Sequence, residues 1–138
     1  ARNLCETGDV LTPKPLGIAL DTNILLDITR LKLQVIDQLL ELAGSLPLVI
    51  PIQVKHELQA LSLERDKTGT AARVALDVLS QNHIKVVPAE GATGDDALHE
   101  LAQKGYIVAT NDRLLKQTLK KAPQRVIVVR QSKYLDWQ

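Results

Sequence analysis

The chain has 138 residues, 45% hydrophobic and 24% charged, with a net charge of +1; that closes one hydrophobic core and leaves little for a second. Its longest apolar runs, Val126–Val129 and Leu46–Ile50, fall far short of the roughly 20 residues a membrane helix requires, and a lone Cys5 excludes zinc fingers and disulfide scaffolds. A single domain over residues 17–138 is expected, behind an N-terminal arm (1–16) without the apolar core of a secretory signal; the expected location is cytoplasmic, with no membrane association.

After the arm, GIALD reads as a short buried strand ending at Asp21, because brief apolar runs bounded by turn formers suit a parallel core strand. Ile24–Leu31 and Val35–Leu42 predict two helices, the second stopped by Gly44. LPLVIP predicts a second strand. Pro51 then opens a helix at no hydrogen-bonding cost, with Val54, Leu58 and Leu61 as its buried stripe and Glu57 at the border. Asp66–Gly69 reads as a break, followed by a helix over Ala71–Leu79 and a strand over Ile84–Val87. The loop AEGATG leads into a helix with Asp95 and Asp96 in its first turn, where the dipole favours acids, and with Leu98, Leu101 and Ala102 inward. YIVATND predicts a fourth strand with Asp112 just past it. Arg113–Lys121 predicts a helix with Leu115 and Leu119 inward and Arg113, Lys116 and Lys120 outward, and RVIVV predicts a fifth strand.

Strands alternating with helices imply right-handed crossovers and a parallel sheet whose ligand crevice lies at the strand carboxyl ends. Asp21 and Asp112 end strands at that edge, while Glu57 and Asp95 or Asp96 leave it on helices. Two carboxylates about 5 Å apart repel by roughly 3 kcal/mol at an effective dielectric of ~20, so such a cluster makes sense as a seat for divalent cations. Oxygen ligands alone select Mg²⁺ or Mn²⁺ over zinc. A metal pair can acidify a bound water and neutralise a phosphodiester, with no protein nucleophile required.

From Arg113 to Lys133 there are seven basic residues and no acid, a docking face for a polyanion. With no Phe, two Tyr and one Trp, the chain lacks interleaved aromatics for stacking bases, so contact mainly to nucleic-acid backbone is expected. His99 reads as a solvent-facing helix residue rather than a metal ligand, His56 and His83 are weaker candidates still, and Gly91–Gly94 reads as a hinge loop.

The segments ALDTNILLD, VKHELQAL, GDDALHELA and IVATNDRLLK resemble the four acidic signatures of the PIN-domain nucleases, in order and over nearly the whole chain. The last two, followed by a basic helix, are most similar to the PIN nucleases of pre-ribosomal RNA processing and their archaeal relatives, with toxin-type PIN ribonucleases next. The resemblance implies a three-layer α/β/α sandwich around a five-stranded parallel sheet, and Mg²⁺- or Mn²⁺-dependent cleavage of single-stranded RNA leaving a 5′-phosphate. It implies catalytic acids at Asp21, Glu57, Asp96 and Asp112, all metal ligands, with Asp95 a helper ligand competing for the third place. Asn23 and Thr110 match polar positions that hydrogen-bond ligands or metal waters. Arg113, Lys116 and Lys120 are the expected RNA contacts, and a homodimer is expected on resemblance alone. A non-catalytic RNA-binding module and a phospho-acceptor receiver are the competing readings; receivers place an Asp pair on the first strand, where Thr22 follows Asp21 here.

Overall fold

The computed structural model describes residues 14–30, 34–130 and 134–138. Most of the expected arm, with Cys5, and Lys133 of the basic run lie outside the described residues. Twelve elements follow in chain order: β1 (Ile18–Leu20), α1 (Thr22–Arg30), α2 (Val35–Ala43), β2 (Leu48–Pro51), α3 (Ile52–Leu61), α4 (Lys67–Gln81), β3 (Lys85–Val87), α5 (Gly94–Lys104), β4 (Ile107–Ala109), α6 (Arg113–Thr118), β5 (Val126–Arg130) and β6 (Tyr134–Trp137).

The strands form one sheet in the order β3-β2-β1-β4-β5-β6. The first five are parallel, as their apolar runs require, and β6 pairs antiparallel with β5 through Ile127–Trp137 and Val129–Leu135. The expected five-stranded sheet therefore has a sixth, antiparallel edge strand. YLDW is too short for a period-two pattern to declare itself, and it gains its strand character from β5 and from α2, which rests against it.

Helix α4 begins four residues before its expected start, because the Asp66 carboxylate accepts the Gly69 N–H at 3.0 Å and so caps a helix across the expected break. Helix α5 follows the sequence closely: Thr93 caps its first turn, and Gly105 ends it in the left-handed conformation (φ 110°) that glycine adopts without penalty. Helix α6 is shorter than expected and ends at Thr118.

The core is a continuous cluster in which Ile18, Leu20, Ile50 and Ile127 of the sheet meet Ile24, Leu25, Leu58 and Leu98 of the helices, all fully buried. Helices α1, α3 and α4 pack on one another, and α5 lies against β1, β2 and β4. Among the described residues no helix is long and apolar enough to cross a membrane. After β1 the chain winds outward through β2 and β3, then returns to build β4 and β5 on the other flank. That reversal opens a crevice at the carboxyl ends of β1 and β4, where Leu20 is paired with Ala109.

Candidate active site

The residues that follow this paired register are Asp21 and Thr110, and they meet directly. Asp21 is buried at 2% exposure, and its Oδ2 accepts a hydrogen bond from the Thr110 hydroxyl. Its Oδ1 accepts from the backbone N–H groups of Asn23 and of Ile24, the latter at 3.1 Å, so the carboxylate also caps α1. The Thr110 oxygen in turn accepts the Asp112 N–H at 2.9 Å, and Asp112 caps α6 by accepting the Leu115 N–H at 3.0 Å. One threonine thus ties the first and last of the four expected acids to each other.

Glu57, half-buried on α3, is fixed from two sides. Its Oε1 accepts the Thr22 hydroxyl at 2.6 Å and its Oε2 accepts the Gly94 N–H at 3.1 Å. A Cβ at Gly94 would lie 2.6 Å from Glu57 Oε1, so a side chain there must push the carboxylate aside. The loop before α5 is held by Gln53, whose amide donates to the carbonyls of Ala89 (2.6 Å) and Gly91 (2.9 Å).

These groups line a cleft of about 530 Å³ that includes Asp21, Thr22, Asn23, Glu57, Asp95 and Asp112. Asp96, expected to lead the third position, is not in that lining. It follows Asp95 by about 100° of helix turn, and its backbone N–H goes to the Thr93 hydroxyl while its Cβ borders Gly91. Asn23 lines the cleft, and Thr110 touches two of the acids. Arg113 and Lys120 are exposed on or just after α6, and Lys116 is half-buried.

Electrostatics at the cleft are those of uncompensated negative charge. Burial pushes the Asp21 carboxyl up from 3.8 to about 6, against the hydrogen bonds from Thr110, Ile24 and Asn23, and the Asp95 charge adds to the rise. Asp95 is also raised, first by desolvation and then by the charges of Asp112, Glu57 and Asp96. Among the described residues, no Lys, Arg or His lines the cleft. Nor do three acids or histidines among them converge into a closed coordination sphere. Oxygen-only, mutually repelling and open donors suit a hard cation that uses one or two carboxylates and keeps several waters, which is the habit of Mg²⁺.

Sequence reasoning missed three of the supporting contacts. Thr22 stands beside Asp21 in the DTN triplet, yet its hydroxyl serves Glu57, 35 residues away. Asp27 is buried at 4% exposure and accepts from the Asn111 side chain, which stands between Thr110 and Asp112. Gln53 holds the loop that presents Asp95.

A mostly parallel α/β domain with carboxylates gathered at the switch point of its sheet is the class this geometry defines. A family model described as a PIN-like domain matches residues 18–132, and the chain belongs to the PIN-domain nuclease family. It is 42% identical over 111 residues to Ribonuclease VapC9 of Archaeoglobus fulgidus (79% of this chain, 77% of the relative), and 33% identical over 121 residues to Ribonuclease VapC4 of Methanocaldococcus jannaschii (84% and 92%). The solved structure of the PIN domain endonuclease Utp24 superposes with a TM-score of 0.72 at 24% identity, covering 90% of this chain and 92% of that one. At that identity the likeness speaks for the fold.

Proposed function

We propose that this protein is a divalent-metal-dependent endoribonuclease that hydrolyses single-stranded RNA, with Asp21, Glu57, Asp95 and Asp112 as its working acids. The observation that carries the reading is the cleft itself, four carboxylates on one wall-to-wall lining with two of them held above their ordinary range. The ribonuclease names of the two relatives support RNA as the substrate.

One or two of Asp21, Asp112 and Asp95 would hold the cation, with water completing its shell. When bound, Mg²⁺ or Mn²⁺ supplies charge neutralisation for the phosphodiester and acidity for a water. Glu57, anchored by Thr22 and the Gly94 amide, keeps lone pairs free to orient the attacking water and to take its proton. Arg113, next in the chain to Asp112, with Lys116 on α6 and Lys120 just after it, draws the phosphate backbone past the acids. The test is incubation of labelled single-stranded RNA with the protein and Mn²⁺. Internal cuts that a chelator stops and that Asp112→Asn loses are expected; unchanged cutting by that variant overturns the reading.

Two substitutions probe the supports. Gly94→Ala places a methyl against Glu57 while improving helix propensity by up to about 1 kcal/mol. Cleavage is expected to fall roughly tenfold to a hundredfold, as misplacement of a reacting group does, with little change in melting temperature; activity near wild type would show that Glu57 needs no fixed position. Thr110→Val removes the donor that holds Asp21 down in pKa. The acid limb of its pH–rate profile is expected to move to higher pH, because Asp21 then ionises later; an unmoved limb would separate Asp21 from that titration.

A further inference from the structure

Scarcity of aromatics argues against base stacking, but the fold puts its single tryptophan to a use the sequence hides. Arg125 precedes β5, Trp137 ends β6, and the antiparallel pairing that sets Ile127 opposite Trp137 brings the Arg125 guanidinium carbon to 4.9 Å from the Trp137 ring centroid. This cation–π contact holds an exposed arginine over a half-buried indole that packs against the core.

Beside it lies a second groove, of about 350 Å³, whose lining includes Lys120, Pro123, Gln124, Arg125 and Gln138 and, among the described residues, no acidic side chain; the Arg125 guanidinium also donates to the Gln138 main-chain oxygen at 3.5 Å. Lys120 and the neighbouring Lys121 are exposed. The nearby Asp136 carboxylate is engaged by the Trp137 N–H at 2.8 Å. Helix α6 connects the two places: it starts at Asp112 in the acidic cleft and, at about 1.5 Å per residue, carries the chain roughly 9 Å toward this groove.

We infer that the groove is a second RNA-contact site, in which Arg125, backed by Trp137, stacks one unpaired base while Lys120 and Lys121 take adjacent phosphates. It rests on the endoribonuclease reading and adds a gripping point for the strand outside the scissile bond. Guanidinium planes and aromatic rings are the side-chain surfaces on which unpaired bases stack, and such a stack changes affinity by about tenfold to a hundredfold per base. Lysines alone would bind any polyanion; a guanidinium braced on an indole offers a flat face, which points to a nucleobase over an acidic peptide.

Trp137 is the chain's only tryptophan, so its emission reports its contact with Arg125 at the groove's edge. The full-length Asp21→Asn protein is titrated with a single-stranded RNA of about 12 nucleotides, within the usual range of strand-binding site sizes. Fluorescence of Trp137 and polarisation of a labelled strand are both followed. A saturable change in Trp137 emission is expected. Arg125→Ala in the same background should weaken binding about tenfold or more and flatten the salt dependence. Arg125→Lys should keep the salt dependence while losing affinity. RNA binding with unchanged Trp137 emission and no effect of Arg125→Ala overturns the site, as does an equal response to polyglutamate. The endoribonuclease reading is judged separately, by Mn²⁺-dependent cutting with the wild-type protein.

Discussion

Asp21→Asn is expected to abolish cleavage and, at neutral pH, to make the protein more stable than wild type. The asparagine oxygen can take the place of Oδ1 and accept from Asn23 and Ile24. Its amide nitrogen can donate to the Thr110 oxygen where Oδ2 accepted before. What disappears is a buried charge. A rise from 3.8 to about 6, at about 1.4 kcal/mol per pH unit, amounts to an order of 3 kcal/mol working against folding once Asp21 is ionised. The folded state holds its proton more tightly than the unfolded chain, so this penalty is absent below pH 4, grows as pH rises through 4 to 6, and is complete above. Chemical denaturation at pH 4 and pH 7.5 should therefore show variant and wild type nearly equal in acid and the variant ahead by about 1 to 3 kcal/mol at neutral pH. Cleavage should fall by about a thousandfold or more, because a cation held in the cleft is worth several kcal/mol to the transition state. A variant that is both inactive and less stable at pH 7.5 would mean that Asp21 is a structural cap.

Much of the cleft's lining, Asp21, Asn23, Glu57, Asp95 and Asp112, was legible in the sequence. Acids following buried apolar strands, as Asp21 and Asp112 do, cap the helices that come next, and a parallel sheet delivers strand ends to one edge whatever the side chains between them, so the two meet. Contacts that depend on two distant loops meeting were not legible. The Thr22–Glu57 and Asp27–Asn111 hydrogen bonds join residues 35 and 84 positions apart, and no local period encodes such a pair. The sixth strand was invisible because four residues of mixed character become a strand only when β5 offers its edge. Arg125 read only as one cation of the basic run and Trp137 as one of three aromatics, and the β5–β6 register makes them neighbours. The choice between Asp95 and Asp96 turns on about 100° of helix rotation, which the first turn of a capped helix fixes only once Thr93 and Gly94 are docked against Glu57.

That rotation makes the third acid a measurable distinction. Asp95 lines the cleft and takes the charges of Asp112, Glu57 and Asp96 on a partly desolvated carboxyl, whereas Asp96 is not in the lining and adds its charge to Asp95. Both occupy the first turn of α5, so either substitution to asparagine forfeits a similar interaction with the helix dipole, about 0.3 to 1 kcal/mol. Any larger difference between them belongs to the site. Wild-type protein is expected to gain stability on addition of Mn²⁺, by about 2.7 kcal/mol at a hundred times the dissociation constant, since the ion quiets carboxylates that otherwise repel. Asp95→Asn should lose most of that gain and slow cleavage about a hundredfold. Asp96→Asn should keep the Mn²⁺ stabilisation and remain within about fivefold of wild-type activity. Melting curves with and without Mn²⁺ on the two variants decide the matter. If Asp96→Asn is the more damaged of the pair, α5 turns its second acid inward when the ion binds, and the third ligand is Asp96.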